Sequence, residues 1–131
     1  MTTYVDTSAA MKLLVDEAES DALVDKLEEL REAGETLVSS WLLHTELHCA
    51  ANRHPADVAA DAVEAVLSAV ALVDVERADL VAAPSLPGGL RSADAVHLAS
   101  ARRVGCDAML VYDEELRAAA STVGLSPLSP S

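Results

Sequence analysis

Phenylalanine is absent from this chain, and all aromatics together make up only 2% of it. A hydrophobic core must therefore be built from Ala, Val and Leu. Hydrophobic residues fill 51% of the 131 positions, enough for one buried core and too many for a disordered chain. Cysteine is scarce as well. Cys49 and Cys106 stand far apart with no Cys-x-x-Cys, which excludes a disulfide framework or a cysteine zinc cluster and leaves both as small buried hydrophobes. No apolar run approaches the ~20 residues of a membrane span. The first residues lack a basic segment followed by an apolar core, since Asp6 interrupts them. A soluble cytoplasmic protein with no membrane role is expected. Basic residues are few too: 9 Lys and Arg against 22 Asp and Glu, a formal net charge of -13. That balance suits a solubilising surface and excludes binding nucleic acid by bulk attraction, because phosphate contacts need Lys and Arg. Work on a nucleic acid would require a local basic patch or a bound cation. Lys12, Arg53, Arg91, Arg102 and Arg103 are the candidates for the patch.

What is present alternates in type. Short β-favouring runs at Thr3–Val5, Thr36–Ser39, Ala71–Val75 and Ala108–Tyr112 are separated by helical patterns. The helices are expected at Ala9–Val15, from Ser20 or Asp21 to the stop at Gly34, at Trp41 to about Asn52, and at Ala56–Val70 with Ala59, Ala62, Val66 and Val70 inward. Two more run from a Ser92 cap to about Val104 and over Glu114–Val123. Val81–Gly89, with Pro84, Pro87 and two glycines, reads as a loop after a short helix and as a mobile rim, and 126–131 as a frayed Pro/Ser tail. Strict alternation predicts a single α/β domain over 1–131, a three-layer α/β/α fold with a parallel sheet of four to five strands.

Four acids share a positional logic. Asp6 and Asp113 end strands, Asp94 opens a helix, and Glu46 lies on the inward Leu43-Leu47-Ala50 stripe of another. In open α/β sheets ligands collect at the carboxyl ends of strands. Each acid also has an ordinary reading: Asp94 as a partner of the helix dipole, Asp6 and Asp113 as plain strand-end acids, Glu46 as a stripe-edge residue reaching water. Gathered together they would repel, and a divalent cation removes the conflict. Hard oxygen ligands suit Mg²⁺ or Mn²⁺, which can clamp a phosphodiester and lower the pKa of a water.

The chain resembles a PIN domain, and specifically VapC-type toxins of bacterial toxin–antitoxin pairs. The resemblance rests on Tyr4-Val5-Asp6-Thr7-Ser8, Thr45-Glu46-Leu47, Arg91 through Ala101 around Asp94, and Val111-Tyr112-Asp113-Glu114-Glu115-Leu116, in the family order and over nearly the whole length. It implies that Asp6, Glu46 and Asp94 are the three invariant acids, Asp113 the fourth, and Ser8 a supporting hydroxyl that also suits a helix cap. It further implies a Mg²⁺- or Mn²⁺-dependent endoribonuclease that cleaves RNA such as tRNA or rRNA, a homodimer, and a cognate antitoxin that occludes the acidic pocket. One departure stands out: the family's Thr-x-Asp at the fourth acid reads Val111-Tyr112-Asp113 here.

Three other readings compete. His44 and His48, at i, i+4 around Glu46, suggest zinc, but the order is not His-Glu-x-x-His. A haloacid-dehalogenase-type phosphatase, also metal-dependent, would need a second Asp where Ser8 stands. A non-catalytic protein-binding module of the same fold would use the Ala- and Leu-rich second to fourth helices.

Overall fold

The computed structural model describes residues 1–131. Strand β1 (Thr2–Val5) leads into α1 (Thr7–Leu14) and α2 (Ser20–Glu32). Then come β2 (Thr36–Ser40), α3 (Trp41–Arg53), α4 (Ala60–Ser68), β3 (Ala71–Val73) and α5 (Arg77–Ala82). A 3₁₀ turn at Ala83–Ser85, α6 (Ser92–Arg103), β4 (Ala108–Leu110), α7 (Glu114–Thr122) and β5 (Ser126–Leu128) complete the chain. All strand pairings are parallel, in the order β3-β2-β1-β4-β5.

Side-chain alternation along the strands divides the core into two layers. Val5, Leu37 and Leu110 face one way and pack with Ala9 and Ala10 of α1, Leu23 of α2, Leu43 and Leu47 of α3, and Val63 of α4. Tyr4, Val38 and Met109 face the other way and pack with Leu98 of α6 and Leu116 and Ala120 of α7. With no Phe, small side chains let the helices sit close; Ala83, Ala95 and Ala99 join the 3₁₀ turn to α6. No helix is long and apolar enough to cross a membrane.

The expected three-layer fold is present, with five strands. Several boundaries differ. The tail is not frayed at its start, because Ser126–Leu128 adds β5 beside β4, and the Tyr112 hydroxyl donates to the Pro130 carbonyl at 2.7 Å. A strand of three residues with a central proline carries little sequence signal; its missing N–H lies on a sheet edge, where a proline is tolerated. Helix α4 begins four residues later than expected, since Val58 is drawn into the core by the preceding turn. Its buried face is consequently Val63, Val66 and Leu67, while Ala59 is exposed. Asp6 and Arg91, not Ser8 and Ser92, hold the cap positions of α1 and α6. The 81–89 segment is half helical and packed on α6; Gly88 takes φ 94°, a backbone angle a side chain would strain. Cys106 is buried as expected, but Cys49 is exposed.

Deleting residues 126–131 removes the outer neighbour of β4. The truncated chain is expected to melt more than about 5 °C below wild type; an unchanged melting temperature would show that β5 adds nothing to the sheet.

Candidate active site

The chain goes β1, β2, β3 to one side, then returns to place β4 on the other flank of β1. The strand order therefore reverses between β1 and β4, and ligand sites of open α/β sheets lie at such reversals, beyond the strands' carboxyl ends. Asp6 stands there. Its extended backbone caps α1, and its Oδ2 accepts from Ser8 N at 3.0 Å and from Ser8 Oγ at 2.6 Å. Ser8 Oγ in turn accepts from Tyr112 N at 2.9 Å, tying the turn after β1 to the segment after β4. Asp6 is only 2% exposed, yet its Oδ1 has no donor at all. A buried carboxylate oxygen without a partner is costly and calls for a positive charge.

Glu46 reaches the same region from α3. Its side chain is 29% exposed, and Oε1 receives Thr7 Oγ1 at 2.8 Å and His97 Nε2 at 2.5 Å. His97 is fully buried on α6, one turn beyond Asp94. Its Nδ1 lies 2.6 Å from the Tyr4 hydroxyl, which lies 3.0 Å from Ser40 Oγ. Nε2–H donates to Glu46, and Nδ1 bonds the Tyr4 hydroxyl, donating to it when the imidazole is charged and accepting from it when neutral. A buried polar chain from β1 and β2 thus fixes one oxygen of Glu46 and leaves Oε2 to the cleft. Burial alone would raise the Glu46 carboxyl, but the His97 hydrogen bond and charge and the Thr7 hydroxyl outweigh it and hold it below its ordinary value. Burial likewise disfavours a charged His97, yet the Glu46 hydrogen bond and the charges of Asp6, Glu46 and Asp94 raise its pKa.

Asp94, half-buried in the first turn of α6, shows how closely the acids gather. Burial, then the negative charges of Asp6, Asp113 and Glu46, push its pKa up to about 6, with His97 opposing. Asp113 is exposed and caps α7, its Oδ1 accepting Leu116 N at 2.9 Å. The structure therefore brings Asp6, Glu46, Asp94 and Asp113 to one electrostatic centre, with Ser8 bonded to Asp6. As they stand, no three His, Cys, Asp or Glu side chains are placed to hold a metal ion together, with Glu46 turned toward His97 and Asp113 toward its helix. The donor set nonetheless fits a hard cation. It is made of carboxylates, one of them with a buried oxygen lacking a donor, in a cluster negative enough to raise the pKa of Asp94 to about 6.

Sequence reasoning missed the contacts of Tyr4, Thr7, Ser40 and His97. The i, i+3 spacing of Asp94 and His97 was an available signal, since such pairs share a helix face; nothing in the sequence marks Tyr4. His44 and His48 flank α3 away from this centre, their rings 4.6 Å apart and His48 Nε2 2.9 Å from Glu64 Oε1, so the zinc reading finds no third ligand. Of the basic candidates, Lys12 is paired with Glu17 and Glu19 and Arg103 with Asp79 and Glu76.

The model of the PIN domain family matches residues 3–121. The chain belongs to the PIN-domain family. It is 38% identical over 134 residues to ribonuclease VapC46 of Mycobacterium tuberculosis, a match covering 98% of this chain and 97% of that protein. Ribonuclease VapC35 of the same species is 36% identical over 135 residues, covering 97% and 96%. This PIN domain is thus of the VapC ribonuclease type. Among solved structures it resembles VapBC2 from Rickettsia felis bound to a DNA fragment from their promoter, with TM-score 0.78, 12% identity and full coverage of both chains. It also resembles M. tuberculosis VapC20, a sarcin-ricin loop cleaving toxin, with TM-score 0.70, 18% identity and coverage of 98% and 99%. At those identities the structures attest the fold alone.

Because the Asp94 carboxyl is raised in the folded state, the folded chain holds more protons than the unfolded chain between about pH 4 and pH 6. Stability is lost as pH rises through that window. In EDTA, the Asp94→Asn protein is expected to melt above wild type at neutral pH, the gap closing below about pH 4. Equal melting curves at both pH values would show that the acids do not repel.

Proposed function

We propose that this PIN domain is a Mg²⁺- or Mn²⁺-dependent endoribonuclease, the toxin of a toxin–antitoxin pair, cutting RNA such as tRNA or rRNA. The observation that carries the reading is the buried, donorless Asp6 Oδ1 amid carboxylates dense enough to raise Asp94. Asp6 would offer Oδ1, Glu46 its Oε2, and Asp94 and Asp113 their carboxylates. When bound, the cation neutralises these charges, polarises a phosphoryl oxygen and acidifies a water for attack on phosphorus. Ser8 keeps Asp6 Oδ2 occupied, so Oδ1 points inward. His97 and Thr7 keep Glu46 ionised and stationary. Without such a cation the cluster would repel an RNA backbone.

The relatives named ribonuclease VapC support the RNA substrate, and the likeness to VapBC2 supports a cognate antitoxin, which on this reading covers the acidic cleft. A homodimer in the cytoplasm, all 131 residues forming a single domain, completes the reading. The family's missing Thr before the fourth acid is met in part by Ser8, whose hydroxyl reaches Tyr112 N.

With Mn²⁺, the purified chain is expected to cut total bacterial RNA. Asp6→Asn, Glu46→Gln and Asp94→Asn should each lose at least about 100-fold in rate while keeping a cooperative melt. Wild type and Asp94→Asn cutting equally would sink the assignment. Tyr4→Phe, remote from the cleft, should weaken Mn²⁺ binding about tenfold by calorimetry, because it frees His97 and hence Glu46. An unaltered Mn²⁺ affinity would remove Tyr4 from the site's support.

A further inference from the structure

Between α1 and the C-terminal half of α3 runs a cleft of about 680 Å³ that begins at Thr7 and Glu46 and ends at Asn52, Arg53 and His54, with Cys49 midway. Glu46, Cys49 and Arg53 stand at i, i+3 and i+7, on one helix face. The cleft is thus continuous with the acidic centre yet chemically unlike it. Glu46 is the only acid among its lining residues, and only three of nine are hydrophobic. Arg53 is exposed at the end of this cleft and makes no ion pair, so its charge is free to meet a ligand there; Lys12 and Arg103, by contrast, are neutralised by nearby acids.

We propose that this cleft carries the RNA strand leading away from the scissile phosphate, with Arg53 holding a flanking phosphate and Asn52 and His54 donating to the sugar-phosphate backbone. The assignment rests on the nuclease reading above and adds a substrate subsite to it. The distance sets which phosphate is met. Seven residues of α-helix place Arg53 about 10 Å along the axis from Glu46, too far for the phosphate being cut. The polar end of the cleft, at Asn52, Arg53 and His54, favours a sugar-phosphate backbone over an apolar peptide. The neighbouring groove beside α5 and α6, lined by Trp41, Leu80 and Val96, is the apolar one, with six hydrophobic residues of eight. An arginine contact of this kind positions the backbone and reads no base, so the cleft contributes affinity and strand polarity, not sequence choice.

Cleavage of total RNA with Mn²⁺, followed against salt, tests it. Arg53→Ala should lower kcat/KM several-fold at low salt and reduce the slope of its logarithm against log salt by about one. Arg53→Glu should lower it further, with Mn²⁺ binding by calorimetry as in wild type. Arg31→Ala, the same charge removed in the last turn of α2, should match wild type. Exposed Cys49 gives an independent arm, since Cys106 is buried. A sulfonate-bearing thiosulfonate adduct should slow cleavage more than a trimethylammonium one. Wild-type kcat/KM and salt slope in Arg53→Ala, or equal loss with both adducts, would overturn the subsite. So would Arg53→Glu releasing a bound antitoxin while cutting RNA normally, which would give the cleft to a protein partner. A wild-type chain that cuts no RNA would instead overturn the nuclease reading beneath it.

Discussion

A carboxylate oxygen buried without a donor is the constraint on which this structure turns. Asp6 is held by its own backbone role as a helix cap and by two bonds from Ser8, so it cannot swing out to water. Its second oxygen therefore faces inward among other acids. An isolated protein would hardly keep such an arrangement for stability, since burying a charge unpaired costs more than any cap returns. On the proposed reading, a bound cation answers that cost.

The sheet topology makes the gathering possible. Because strand order reverses at β1, the carboxyl ends of β1 and β4 lie side by side, at the place where such sheets hold ligands. Four residues spread over more than a hundred positions converge without any long loop to carry them. The rigid parts do the positioning. Glu46 is anchored through His97 to Tyr4 on the central strand, and Asp6 through Ser8 to the strand beside it. Movement in one member would be felt by the next, because each shares a hydrogen bond with a neighbour on another element.

Alternation of strand and helix was legible because period-two and period-3.6 patterns survive in an Ala-, Val- and Leu-rich chain. Asp6 at the end of β1 and the carboxylate on the Leu43-Leu47 stripe were legible for the same reason, since position within an element predicts the end or face on which a side chain lies; Asp113, expected at a strand end, lies three residues past β4 and caps α7. What could not be read depended on contacts between elements. The Tyr4–His97–Glu46 chain joins residues from positions 4, 46 and 97, and no local pattern announces it. The face of α4 was misjudged by one residue, since Val58 docks before the helix starts. Cys49 is exposed because its helix flank opens on a cleft, a property of the space beside α3 rather than of the residue. Strand β5 went unread because a proline within it argues against a strand unless its place at the edge is known.

That place has a further meaning. Ser126 N and the Leu128 carbonyl bond inward to Asp107 and Val111, so Pro127 occupies the intervening position, where an N–H would point out of the sheet. A strand from another molecule seeking to extend the ladder there meets a ring instead of a donor. On this flank the sheet is sealed against growth, so any association of two copies on that side has to be made by helices, and runaway edge-to-edge stacking is denied a starting point.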